Sequence, residues 1–179
     1  MKMNYETAVF GGGCFWCLEK IFMQINGVES VESGYAGGFR ENPSYKEVCS
    51  GETGHAEVVK IEFDPEIVSF DQLLEVFFYI HDPTTLNRQG NDTGEQYRSV
   101  IFFTSGQQEK SARTFIDNFE NKKIFLGSIV TEIKPLDKFY KAEDYHQKYF
   151  MSNPSQPYCQ LIISPKIKKF REKFTRLLK

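Results

Sequence analysis

The order of apolar segments predicts an α+β protein, a two-layer sandwich of mixed β-sheet and helices with the ferredoxin-like plait of a split βαβ unit. Three observations carry this expectation. Segments of alternating polarity interleave with segments of helical periodicity in the rough order β-α-β-β-α-β-α-β-α. Hairpin connections mix with crossover helices, which requires a sheet of mixed direction. The 179 residues are 40% hydrophobic and 15% aromatic, enough for one packed core, and no repeat, low-complexity tract or domain boundary interrupts them.

Ala8-Val9-Phe10 reads as a strand running into Gly11-Gly12-Gly13. From Phe15 to Ile25 there is no Gly or Pro, and Phe15, Leu18, Ile21, Phe22 and Ile25 recur at helical spacing, so a helix opens at or near Cys14. Asn26-Gly27 stops it. Val28 to Tyr35 alternates as a strand, and the stretch from Phe39 to Gly54, rich in Gly, Pro, Asn and Ser, reads as a long loop of the kind that carries function. His55 to Phe63 is a strand ended by Asp64-Pro65, and Ser69 caps an amphipathic helix over Phe70 to Ile80. His81 to Gln96 reads as a second long polar loop. Ser99 to Thr104 is a strand, Gln107 to Asn121 a helix, and Ile129 to Ile133 a strand before Pro135. Ala142 to Met151 reads as a short helix carrying Tyr145, His146 and Tyr149, and Tyr158 to Ile163 as a strand or extended segment. Ser164-Pro165 opens a basic helix over residues 164–179, with Pro at its first position.

Composition narrows the functional classes. A net charge of −2, from 22 basic and 24 acidic residues, argues against nucleic acid as the main partner. The basic stretch from Lys166 to Lys179 reads as a solvated helix face. No apolar run is long enough to span a bilayer, and Glu6 and the glycines after Lys2 break any signal-peptide pattern, so a cytoplasmic protein without membrane contact is expected. Four cysteines in such a chain are expected to be reduced or catalytic rather than a disulfide framework.

The chemistry centres on Gly11-Gly12-Gly13-Cys14-Phe15-Trp16-Cys17. A thiol at a helix start faces unpaired backbone N–H groups and the positive end of the dipole, and both favour the nucleophilic thiolate. The alternative is an inert buried thiol among core aromatics. Phe15 and Trp16, the single Trp, could form an apolar wall beside the sulfur. Glu57 shares a strand face with Val59, Ile61 and Phe63, and burial there would raise its pKa, unless it reaches water at the strand end. Tyr45, Cys49, His55, Asp92, Glu95, Tyr97, His146 and Tyr149 fall in loops and element ends. Together these groups suit a thiolate that attacks an electrophilic centre next to an apolar group. A carboxylic acid and phenols would serve the oxygen that gains charge. A zinc site built on Cys14-x-x-Cys17 lacks a second C-x-x-C, and Phe-Trp between the ligands crowds an ion, so no metal is expected. A thioredoxin-like dithiol-disulfide oxidoreductase is the other alternative, though a short strand-helix module before the motif is missing.

Several motifs in one order then point to a family. Gly13-Cys14-Phe15-Trp16, Gly34-Tyr35-Ala36-Gly37-Gly38, Asn42-Pro43-Ser44-Tyr45, Gly54-His55-Ala56-Glu57, Gly90-Asn91-Asp92 with Gln96-Tyr97-Arg98-Ser99, and Ala142-Glu143-Asp144-Tyr145-His146-Gln147 resemble the peptide methionine sulfoxide reductase type A family. The resemblance implies a single catalytic domain over residues 1–179 that reduces the S epimer of methionine sulfoxide, free or in proteins. It implies that Cys14 attacks the sulfoxide sulfur, that Phe15 and Trp16 hold the ε-methyl group, and that protonated Glu57 donates to the oxygen with help from Tyr45 and Tyr97. Asp92, His146 and Tyr149 match positions near the substrate. Cys14 would become a sulfenic acid, then a disulfide that thioredoxin reduces, with no bound cofactor and the chain acting as a monomer. Cys17 departs from the commoner motif, which has Gly there. Both Cys17, one helical turn from Cys14, and Cys159, where many relatives carry a C-terminal resolving Cys, remain open as the resolving thiol. Cys49 reads as a packing residue.

Overall fold

A computed structural model describes residues 4–179; Lys2, part of the N-terminal reading, lies outside them. The strands are β1 (Glu6–Gly11), β2 (Val28–Ala36), β3 (Ala56–Phe63), β4 (Arg88–Gln89), β5 (Asp92–Thr93), β6 (Val100–Phe103), β7 (Glu132–Pro135) and β8 (Phe139–Lys141). The helices are α1 (Phe15–Phe22), α2 (Tyr45–Cys49), α3 (Phe70–Ile80), α4 (Gly106–Asn121), α5 (Tyr149–Ser152) and α6 (Ser164–Lys173). The main sheet has the order β7-β6-β1-β3-β2-β8, and β4 pairs with β5 in a separate hairpin. Strand β3 is antiparallel to both β1 and β2, so β1-α1-β2 is a split βαβ unit with β3 inserted. Strand β6 lies antiparallel on the other side of β1, which completes the β6-β1-β3-β2 plait expected from the sequence. Among the described residues, only β7 runs parallel to its neighbour.

Burial explains why these segments hold. Phe10, Phe15, Phe22, Ile61, Phe63 and Phe77 form one continuous core between the sheet and helices α1 and α3. Phe10 stacks on Phe77 with ring centres 4.9 Å apart and leans on Phe22 at 5.7 Å, joining β1 to both helices. Val9, Ala36, Ala56, Val58, Val100 and Phe102 face the other way and are covered in part by Leu136 and Phe139. The start of β3 is therefore buried on both faces, which is why its alternation places Glu57 on the helix side without exposing Ala56 and Val58. No helix among the described residues is long and apolar enough to cross a membrane.

Several elements differ from the sequence-based expectation. The Phe39–Gly54 loop contains α2, capped reciprocally by Ser44 and Glu47, a pairing written in the sequence as Ser-x-x-Glu. The loop from His81 to Gln96 contains the β4–β5 hairpin and the start of a 3-10 turn at Glu95–Tyr97. The strand expected over Ile129 to Ile133 instead covers Glu132–Pro135, set by its parallel register with β6. The helix expected over Ala142 to Met151 is broken: a 3-10 turn spans Asp144–His146, and Lys148, left-handed at φ 54, separates it from α5. Tyr158 to Ile163 is not a strand. Cys159–Ile163 forms a π-helical turn that runs directly into α6. Pro165 has no N–H to return to that turn, which fits the local widening. The basic helix ends at Lys173, and a 3-10 turn, Thr175–Leu177, follows.

Candidate active site

The site forms where β1 ends and β3 begins. A Cβ on Gly11 would sit 2.9 Å from the Glu57 carbonyl oxygen, so this close approach of strands requires glycine. Gly13, at φ 87 and packed on Gln89, turns the chain so that Cys14 becomes the N-cap of α1. The helix end then faces β3: the Phe15 N–H donates to Glu57 Oε2 at 3.1 Å.

Glu57 is 1% exposed, so it does not reach water at the strand end. Burial pushes its carboxyl up to about 8, opposed by the Phe15 N–H and reinforced by the charge of Asp92. It is mostly protonated at neutral pH. Cys14 departs from expectation. Burial first, and the nearby Glu57 carboxyl second, hold its thiol well above the ordinary range, and only the Trp16 N–H works the other way. The helix end does supply the Trp16 N–H, but the loss of water outweighs it. The resting site thus pairs a neutral thiol with a largely neutral carboxylic acid.

Aromatic rings build the walls. Phe15 is fully buried, while Trp16 is half-buried and stacks flat on Tyr149, with ring centres 3.7 Å apart and an 8° interplanar angle. The Trp16 Nε1–H donates to His146 Nδ1 at 3.0 Å. That bond leaves the proton of the neutral His146 ring on Nε2, which is buried and has no partner among the described residues. Burial lowers the His146 pKa, so the neutral ring is the resting form. Tyr45 opens α2 and packs edge-on to His146 at 4.4 Å. Its N–H is held by Glu143 at 3.1 Å, and the same carboxylate accepts from the Tyr35 hydroxyl at 3.0 Å. Tyr97, whose carbonyl accepts the Gly13 N–H at 3.2 Å, is raised first by burial and next by Glu57. Arg98 fastens this turn by donating to the carbonyls of Glu95 and Gly54, each at 3.0 Å.

Cys14, Phe15, Trp16, Tyr45, Glu57, Asp92, Tyr97, His146 and Tyr149 therefore converge from five separate stretches of chain. Tyr158 joins them unanticipated. Its hydroxyl donates to Asp92 Oδ2 at 2.5 Å and also contacts the Cys14 thiol, while its ring meets Trp16 edge-on at 6.0 Å. Its sequence signal is its place directly before Cys159. Cys49 is exposed rather than packed, and the Tyr45 hydroxyl hydrogen-bonds its thiol. Cys17 is buried in the first turn of α1, its N–H donating to the Cys14 carbonyl at 3.2 Å. Burial pushes its thiol up to about 11, while the charge of Lys166 favours the thiolate. Cys159 is fully buried in the core. All four thiols are free, and no cluster of three or more His, Cys, Asp or Glu among the described residues is placed to hold a metal ion. The cleft of about 610 Å³ lined by Tyr79, His81, Leu126 and Lys166 contains none of the converging residues.

Comparison with known proteins agrees with this geometry. A sequence model of the family described as peptide methionine sulfoxide reductase matches residues 6–178. The chain is 57% identical over 173 residues to the peptide methionine sulfoxide reductase MsrA of Polynucleobacter asymbioticus, covering 97% of this chain and 91% of that one. Among solved structures it resembles methionine sulfoxide reductase A of Corynebacterium diphtheriae, with a TM-score of 0.81 and 42% identity over 85% of this chain and 76% of that one. It also resembles Mxr1 of Saccharomyces cerevisiae in complex with Trx2, with a TM-score of 0.57 and 25% identity over 83% and 87% of the two chains. A match across nearly the whole chain, together with an N-cap thiol facing a buried acid and an aromatic wall, places this chain in the peptide methionine sulfoxide reductase family.

Proposed function

We propose that this protein reduces the S epimer of methionine sulfoxide, free or within oxidised proteins, and so repairs oxidative damage. The observation that carries the reading is the pair of neutral acids, Cys14 and Glu57, at one helix end. A sulfoxide oxygen is a strong acceptor, and Glu57 holds a proton to give it. Protonation of that oxygen makes the sulfur electrophilic, and the Cys14 sulfur attacks it. The thiol proton restores Glu57, so the charge of the enclosed site is conserved. The hydroxyl passes from the substrate sulfur to the Cys14 sulfur as the old sulfur–oxygen bond and the new sulfur–sulfur bond both break, so the thioether leaves as methionine and Cys14 keeps the oxygen as a sulfenic acid. Tyr45 and Tyr97 hold the oxygen as its charge changes. Phe15 and Trp16 receive the methyl group, and Asp92, His146 and Tyr149 orient the rest of the substrate.

Cys17 is assigned the second step. It attacks the sulfenic sulfur, water leaves, and a Cys14–Cys17 disulfide forms. Its position one turn away and the charge of Lys166 support it over Cys159. A thioredoxin-type dithiol then reduces the disulfide, a reading supported by the solved complex of the yeast relative Mxr1 with Trx2. The chain works as a cytoplasmic monomer with no bound cofactor. The test is methionine formation from each separated sulfoxide epimer in the presence of thioredoxin, its reductase and NADPH. The S epimer alone should turn over, and the Cys14→Ser variant should give no methionine above background. Turnover by that variant, or preference for the R epimer, would reject the mechanism.

A further inference from the structure

The wall beside Cys14 is not held by Trp16 alone. The ring that backs it, Tyr149, belongs to a four-residue helix whose N-cap, Lys148, is left-handed and offers no side-chain cap. So short a helix cannot hold its own first N–H groups. They are met from another element. Glu19 lies on α1, three residues after Trp16 and so on the same face. Its carboxyl accepts the Lys148 N–H at 2.9 Å and also the Tyr149 N–H. Glu19 is 1% exposed, an unusual place for a carboxyl on a helix whose remaining buried positions are apolar. None of the steps above uses it.

We propose that Glu19 is a positioning residue for the methyl-binding wall: by capturing the backbone N–H groups of Lys148 and Tyr149 it holds the Tyr149 ring flat against Trp16. The two side chains of α1 act as a fixed pair. Trp16 reaches His146 through Nε1 and Tyr149 through its face, while Glu19 fixes the backbone between those partners. The segment that carries both substrate-side rings is thereby locked to the helix that carries the thiol. The reading of the wall as a methyl site rests on the proposed function, but the placement of the rings does not.

The test uses the full chain with Glu19→Ala, Glu19→Gln, Tyr149→Ala and the Glu19→Ala/Tyr149→Ala double variant. Trp16 is the only tryptophan, so its emission maximum and its quenching by acrylamide read the wall directly. Glu19→Ala should shift the emission to the red and raise quenching. It should also raise KM for methionine sulfoxide about tenfold while leaving kcat within about twofold, the pattern of lost ground-state binding. Glu19→Gln keeps one acceptor oxygen and should restore most of both readouts. Tyr149→Ala should reproduce the Glu19→Ala changes, and the double variant should add little to either single change. Wild-type fluorescence and KM in a folded Glu19→Ala protein would overturn the proposal, as would additive effects in the double variant. Should Glu19→Ala fail to fold, Glu19→Met, of similar size but with no acceptor oxygen, decides: red-shifted emission and raised quenching support the proposal, and wild-type values overturn it. The fluorescence arm stands even if methionine sulfoxide is not reduced, so failure of this proposal is distinguishable from failure of the functional reading.

Discussion

At the scale of single residues, the site depends on which charges are absent. The helix-start argument placed Cys14 at the start of α1, where the structure has it, but predicted a thiolate, because it counted N–H groups and not the water lost or the carboxyl that β3 brings opposite. Glu57 was legible because alternation along one strand gives its face. Tyr158 and Glu19 were not, since each acts through a partner far away in sequence. The raised Glu57 pKa has two consequences. In the proposed acid role it must be protonated, so turnover should hold below pH about 8 and fall above it; Glu57→Gln should lower turnover by roughly 10²–10⁴-fold and remove that limb. For stability the sign is also fixed. A folded-state pKa raised above the ordinary carboxylate value gives stability that is complete below the unfolded pKa and lost as pH rises through about 8. Glu57→Gln should therefore gain stability relative to wild type as pH rises from 4 to 9. Thermal melts at the two pH values check this. Cys17→Ser should still release one equivalent of methionine per chain but fail to recycle with thioredoxin. Peptide mapping after one turnover should find a Cys14–Cys17 disulfide in the wild type; a Cys14–Cys159 bond would reassign the step.

At the scale of elements, long periodic segments were legible and short capped ones were not. Strand β2 and helices α3 and α4 lie within a residue or two of the expected ends. Helix α2, with five residues, is too short to show periodicity and is announced only by its capping box. The segment around His146 carries a helical composition, yet Lys148 breaks it, and only the tertiary capture of its N–H groups shows why. Because α2 presents Tyr45 from its first position, its cap matters beyond its length. Ser44→Ala should cost about 1 kcal/mol in urea unfolding, as loss of an N-cap does elsewhere. It should also weaken sulfoxide turnover, since Tyr45 would lose its fixed backbone. An unchanged unfolding midpoint would show that the Glu143 contact to the Tyr45 N–H suffices alone.

At the scale of the whole molecule, the plait was readable because its four inner strands carry enough apolar residues to declare themselves. The edge strands β7 and β8 were displaced or missed, being only four and three residues long and partly exposed. Their places follow from pairing with β6 and β2, which no local pattern records. The inner sheet and its two helices meet at Phe10, so Phe10→Ala should destabilise the fold by about 3–5 kcal/mol and lower the urea midpoint without changing the slope greatly. A loss below about 1 kcal/mol would mean that the neighbouring rings collapse into the space.

The exposed Cys49 complicates chemical labelling of the protein. It lies open to solvent with its thiol raised less than that of Cys14, so iodoacetamide should add there first. An adduct at that position would press on the Tyr45 phenol and slow the enzyme while leaving the Cys14 sulfur untouched. Inactivation by alkylation is thus a poor guide to which sulfur performs the attack, and Cys49→Ser protein, with peptide mapping of the carbamidomethyl groups, is the material in which the question can be asked cleanly.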